Sequence, residues 1–237
     1  MCGRYSLTAA DTELTSAFQI TCPRDLAPRY NIAPGQGVLA IRQRENTKAR
    51  EAVLLHWGLI PSWAETPQIS NSLTQARSET VRDKPAFKAS FRTRRCLIVA
   101  TGFYEWQSTP AGKQPFHITH RAGQPFAMGG LWDRWEENEA VIESCTVLTC
   151  AAHQGVAPIH HRMPVVIPAS QYDRWLSPSE IPAAEIAALL QPMPSEDTVC
   201  YPVSTFVNSV RNDSPQCILA CQQQRPANLQ RTLPFDE

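Results

Sequence analysis

The chain has 237 residues, with Lys plus Arg and Asp plus Glu at 22 each. That length can bury one sizeable core, and the balanced charge leaves no global field to draw the protein onto nucleic acid or an anionic membrane. Eight cysteines, with no apolar leader after Met1 and no apolar run long enough to span a bilayer, read as reduced thiols in a cytoplasmic protein. Neither Cys145 with Cys150 nor Cys217 with Cys221 has zinc-site spacing, so no metal or other cofactor is expected.

The chain opens Met1-Cys2-Gly3-Arg4. The small residue at position 2 predicts removal of Met1, which leaves Cys2 with an α-amine and a thiol on adjacent carbons. Such a pair captures an aldehyde: the amine forms an imine and the sulfur closes onto it as a thiazolidine. A cysteine at position 2 is by itself more often inert, so the rest of the chain must supply a site.

Thr8, Asp11 and Glu13 with Leu14, Phe18 and Ile20 on one face predict a capped helix. Arg29 to Gly35 reads as a turn, and Val38–Ile41 and Ala52–Trp57 read as a hairpin. In Trp57-Gly58-Leu59-Ile60-Pro61-Ser62-Trp63, glycine and proline break the strand and leave two tryptophans at a loop. Arg77 to Arg95 holds seven basic residues against Glu79 and Asp83, a local patch for a polyanion or a solvated helix face.

Apolar runs predict further strands at Cys96–Ala100, Phe116–Thr119, Phe126–Leu131, Ser144–Thr149, Val165–Ile167 and Val199–Val203, with helices at Tyr172–Trp175 and Ala183–Leu190. Strands dominate, so the class is α+β with a mostly antiparallel sheet system and a few scattered helices. One domain over residues 1–221 is expected. From Gln222 to Glu237 the apolar pattern stops, which reads as a flexible tail.

Two sites suit proton transfer. Glu105 lies between Tyr104 and Trp106 after a buried strand, where desolvation disfavours the carboxylate and keeps a proton available near neutrality. His160 and His161 follow the turn at Pro158, so that one ring can face a site while the other faces solvent.

Seven ordered segments resemble the SRAP family, the SOS response-associated peptidases or abasic-site processing proteins. They are Met1 to Tyr5, Arg29 to Pro34, Trp57 to Trp63, Ala76 to Thr80, Gly102 to Trp106, His160 to Pro164, and Pro202 through Asn208 to Asp213. The resemblance implies a single mixed α+β domain that binds single-stranded DNA and crosslinks to the ring-opened sugar of an abasic site through Cys2, shielding the lesion during replication. It implies Glu105 as acid and base and His160 as the partner that stabilises the sugar hydroxyl or oxyanion. It also implies Arg4, Arg77 and Arg162 as phosphate ligands, and Pro34 and Trp63 as surfaces for bases. Weak lyase activity and self-reversal of the crosslink belong to the same picture, as does a monomer associated with the bacterial nucleoid.

Gln75 stands where the family usually has Asn, so the side-chain amide moves by about 1.5 Å, one carbon–carbon bond. Crosslinking is expected to persist with an altered contact to the open sugar. In the tail, Gln230, Leu233 and Phe235 fit the Gln-x-x-Leu-x-Phe pattern of peptides that dock on the bacterial sliding clamp. Two other classes compete with lesion capture: an N-terminal-nucleophile amide hydrolase, and a non-catalytic module that binds single-stranded DNA through the 77–95 segment.

Overall fold

The computed structural model describes residues 3–24, 26–44 and 47–221. Cys2, Gln230, Leu233 and Phe235 lie outside them. In chain order the elements begin β1 (Tyr5–Leu7), α1 (Asp11–Phe18), β2 (Arg29–Ile32), β3 (Gly37–Gln43), β4 (Arg50–Trp57), β5 (Gln75–Arg77), α2 (Pro85–Thr93) and β6 (Arg95–Ala100). They continue with β7 (Gly102–Thr109), β8 (Gly112–His120), β9 (Phe126–Glu137), β10 (Ala140–Ala151), β11 (Arg162–Pro164), β12 (Val166–Ile167), α3 (Tyr172–Leu176), α4 (Ala183–Leu189) and β13 (Thr198–Pro202). Strands dominate and the helices are short, which is the expected α+β class. Among the described residues no helix is long and apolar enough to cross a membrane.

The larger sheet has eight strands and curls until β9, already paired with β6, also pairs with β10, so that β9, β10, β4, β3 and β6 form a closed ring. Closure leaves these strands without a free edge inside the ring. The chain can close here because β6 is buried at every position, its side chains alternating between the ring interior and the elements packed outside it, and each buried Leu, Ile or Val is worth about 1.5–3 kcal/mol. Pairing is antiparallel except where β10 meets β4 and β5.

The second sheet has five strands in the order β13-β8-β7-β1-β2. Tyr5 of β1 joins it to the barrel, its ring meeting that of Trp57 edge-on at 5.4 Å.

Several expectations are corrected. Thr8 does not cap α1, because its hydroxyl faces that of Thr101 at 3.1 Å; the helix instead starts where the Ala10 N–H donates to the Glu13 carboxylate at 2.8 Å. The 29–35 turn is confined to its end, since Arg29–Ile32 pairs with β1 as a strand and only the Ala33–Gln36 turn follows. Trp57 is not at a loop surface: it is 1% exposed and its indole donates to the Thr74 carbonyl at 2.8 Å, leaving Trp63 exposed alone.

The basic run is also not one patch. Arg95 is buried and Arg94 pairs with the buried Asp133, so two of its cations are committed internally, and Arg92 reaches Glu180 at 3.7 Å on the surface.

Candidate functional site

The site forms where the five-stranded sheet meets the loop between β10 and β11. Glu105 lies within β7 rather than beyond a strand end. Alternation along β7 sends Tyr104 and Trp106 to one face, and Phe103 and Glu105 to the other. Gly102 begins the strand because nothing larger fits: a Cβ there would lie 2.2 Å from Nε2 of His117. That ring bridges the Ser6 hydroxyl at 2.9 Å and the Tyr201 hydroxyl at 2.8 Å. Burial pushes the His117 pKa down to about 4. Ser6 and His117 are 1% and 4% exposed, so the pair pins β1, β8 and β13 together and offers no nucleophile to a substrate.

His160 is carried to Glu105 by the turn after β10. The Gln107 amide donates to the Pro158 carbonyl at 3.0 Å and so ties this turn to β7. Nδ1 of His160 then stands 3.7 Å from Oε1 of Glu105, and also 3.0 Å from the backbone N and O of Arg162. It accepts from that N–H or donates to that carbonyl according to tautomer. Desolvation pushes the Glu105 carboxyl up to about 7 and pushes the His160 imidazole below its ordinary value. Near neutral pH the two groups therefore hold a removable proton on the acid beside a neutral imidazole. His161 faces solvent.

Arg4 leads β1 into the same place. Its Nη1 donates to Oδ1 of Asn31 at 2.7 Å and to the Val207 carbonyl at 2.9 Å, and its guanidinium lies 5.8 Å from the centre of the Trp106 ring. Asn31 donates in turn to the carbonyls of Val207, Ser209 and Asn212. Asp213 accepts from the N–H groups of Tyr30 and Asn31 and from Arg29. The 204–213 segment is thus stitched to β2 and forms a wall, on which Oδ1 of Asn208 accepts from the Trp106 indole at 2.8 Å. Arg4, Glu105, Trp106, Lys113, His160 and Asn208 line the resulting pocket of about 410 Å³. A larger cavity of about 620 Å³ against α3 brings Gln43, Lys48, Arg50 and Asp173 together without a comparable acid–base pair.

Beside this pocket Arg162 is turned inward. Its guanidinium forks onto both Glu79 oxygens, at 2.5 and 2.9 Å, and onto the Thr149 carbonyl at 2.6 Å. Gln75 and Arg77 lie on one face of β5, paired with Val147 and Thr149 of β10, and Arg77 is exposed. Pro34 and Trp63 are exposed on separate turns and do not line the pocket.

Of the residues singled out in the sequence, the pocket brings Arg4, Glu105 and His160 together, with Arg162 next to it through the backbone. Asn31, Trp106, Lys113, Asn208 and Asp213 were not singled out as site residues. The bonds of Asn31 and Asp213 to each other's segments and of Trp106 to Asn208 join positions more than 100 apart, so no local pattern marks them; Asn31, Trp106, Asn208 and Asp213 were visible only as members of family motifs, and Lys113 carried no signal.

Fold and site together define a two-sheet α+β protein with a carboxyl and an imidazole, Glu105 and His160, side by side in a cation-lined pocket. The family model described as SOS response associated peptidase (SRAP) matches residues 1–210. The chain is 35% identical over 224 residues to abasic site processing protein YoqW of Bacillus subtilis (strain 168), covering 92% of this chain and 99% of the relative. It is 31% identical to abasic site processing protein YedK of Escherichia coli (strain K12), with 92% and 99% covered. It is also 31% identical to abasic site processing protein HMCES of Gallus gallus, with 86% and 70% covered. A solved structure from Bacteroides thetaiotaomicron matches with a TM-score of 0.83 at 24% identity over 93% of this chain and all of the other, a likeness of fold. The chain belongs to the SRAP family.

Proposed function

We propose that this protein binds abasic sites in single-stranded DNA and captures them covalently through Cys2, shielding the lesion. The observation that carries the reading is the Glu105–His160 pair, 3.7 Å apart, with the Glu105 carboxyl pushed to about 7. Membership of a family whose relatives are named abasic site processing proteins supports the substrate. Cys2 precedes Arg4 by two residues, so its Cα lies within about 7 Å of a pocket residue's Cα in any conformation of the chain.

An abasic deoxyribose in its open form presents an aldehyde at C1′. The α-amine of a chain beginning at Cys2 adds to that carbon, and the resulting hydroxyl leaves as water with a proton supplied by Glu105. Loss of water leaves an iminium; the sulfur then bonds to its carbon, the C=N π electrons pass to the nitrogen, and the thiol proton passes to the Glu105 carboxylate, which restores the acid. One water is lost overall and a thiazolidine forms. His160, neutral at working pH, is the partner that hydrogen-bonds the sugar hydroxyl. Holding the aldehyde beside the aminothiol replaces a bimolecular condensation with a local one. Arg4, Arg77 and Arg162 position phosphates, Gln75 contacts the open sugar, and Pro34 and Trp63 offer faces for bases. Slow β-elimination through the imine and release of the crosslink by the reverse steps complete the activity.

The protein acts as a monomer in the bacterial cytoplasm, near the nucleoid. Residues 1–221 form its working domain, and 222–237 form a tail that docks on the sliding clamp through Gln230, Leu233 and Phe235. Unchanged clamp pull-down by a Leu233→Ala, Phe235→Ala variant would remove that last element.

Capture itself is tested with a single-stranded oligonucleotide carrying one abasic site. On a denaturing gel the wild type gives a band that survives heat and detergent, and Cys2→Ala gives none. A band of equal intensity from Cys2→Ala would overturn the reading. Cys2→Ser separates capture from amide hydrolysis, because a hydroxyl can support acyl transfer but forms no stable thiazolidine.

A further inference from the structure

The Arg162–Glu79 pair is lopsided. The Arg162 side chain is 10% exposed and that of Glu79 is 50% exposed. Arg162 is fixed by the Thr149 carbonyl at 2.6 Å and hydroxyl at 3.3 Å, as well as by its own strand pairing with β10. Glu79 lies in the turn between β5 and α2, and its carboxylate is held below its ordinary pKa first of all by the Arg162 hydrogen bonds. If the pair opens, the carboxylate is the half that swings into water, because Arg162 stays anchored. A carboxylate fork on a guanidinium also has the geometry with which a phosphate would bind the same nitrogens.

We propose that Glu79 is a displaceable counter-ion that occupies the phosphate-binding edge of Arg162 until a DNA phosphate replaces it. The proposal rests on the reading that lesion-bearing DNA lies against Arg162. Glu79 then acts as a positioning and specificity residue: it holds the guanidinium oriented in the free protein, and it taxes every strand that seeks that phosphate contact. A strand held additionally by a lesion in the Glu105 pocket overcomes the tax, whereas an undamaged strand has nothing to offset it.

The test uses the full chain and two oligonucleotides: an undamaged single strand, and one containing a tetrahydrofuran abasic analogue, which has no aldehyde and so reports binding without crosslinking. Glu79→Gln, which keeps the shape and removes the charge, binds the undamaged strand about tenfold tighter, the scale of one charge-assisted contact freed from competition. Glu79→Asp, which keeps the charge but shortens the reach, falls between the two and gives the same ranking should the Gln variant fold poorly. At saturating abasic DNA the crosslinking rate of both variants equals that of the wild type, so the change appears in apparent affinity and not in turnover. In an Arg162→Ala background Glu79→Gln has no effect.

Weaker or unchanged binding by both Glu79 variants would overturn the proposal, weaker binding showing that Glu79 only orients Arg162 for phosphate. If the wild type fails to bind the tetrahydrofuran strand, the DNA-lesion reading itself falls and this inference with it.

Discussion

Asp133 in the eight-stranded sheet and Glu105 in the five-stranded sheet are equally buried, each 2% exposed, yet their surroundings differ. The Asp133 carboxylate is met by the Arg94 guanidinium, the Ser90 hydroxyl and the backbone N–H groups of Ser62 and Arg134. Those donors fix the carboxyl in one place and tie α2 and the turn at Ser62 to β9. Glu105 instead sits where desolvation outweighs every stabilising contact and lifts its pKa to about 7. The same contrast holds for the cations. Arg95, in the barrel, donates to the carbonyls of Phe91, Arg92, Trp175, Ser177 and Ser179, which closes the ends of α2 and α3, while Arg4, in the smaller sheet, opens onto a pocket. Buried charge in the first region fixes a structure; in the second it keeps a proton in play.

The contrast breaks most visibly at Arg95. Arg95→Ala strands five carbonyls in a buried place, and a loss of about 4 kcal/mol in unfolding free energy is expected from chemical denaturation. Crosslinking per folded molecule stays at the wild-type level.

Glu105→Gln has the opposite signature. Crosslinking slows about 100-fold, the scale of general acid–base catalysis. A group whose folded pKa is raised from 4.5 to about 7 makes folding less favourable as pH rises across that interval, because the native state then binds more protons than the unfolded one. At pH 8 the Gln variant is therefore more stable than the wild type by up to about 3 kcal/mol, and the gap closes below pH 4.5. The wild-type rate falls on the alkaline side as Glu105 loses its proton, and the variant loses that limb. A variant that was slower, less stable and unchanged in pH profile would make Glu105 a structural residue.

The smallest effect is at Gln75, where Gln75→Asn shifts the amide by about 1.5 Å and is expected to change crosslinking rate or crosslink lifetime by a few fold. No change in either would remove the proposed contact to the sugar.

The same division governs what could be read from the residues alone. The barrel strands β3, β4, β6 and β9 were legible because their apolar runs are dictated by burial that each strand experiences locally. The three-residue β1 and β5 were not, since short strands are made by partners: β5 exists as a parallel addition to β10, far away in sequence. Helix α2 was obscured by its charges, for only Phe87, Ser90 and Phe91 face inward. In the site, Glu105 announced itself by its aromatic neighbours and His160 by its place after a proline turn. The clamp made by Asn31 and Asp213 on the 204–213 segment joins positions about 180 apart in the chain, and no window of sequence contains both ends. Arg162 read as an open cation because its partner Glu79 lies 83 residues upstream.

The most direct test of covalent capture at the head of the chain is the intact mass of the adduct formed with an abasic oligonucleotide, followed by mapping of the modified peptide. The expected mass is that of the oligonucleotide plus the protein lacking Met1, less one water, with the modification on Cys2. An adduct that retains Met1, or one mapped to a lysine such as Lys113, would contradict the account.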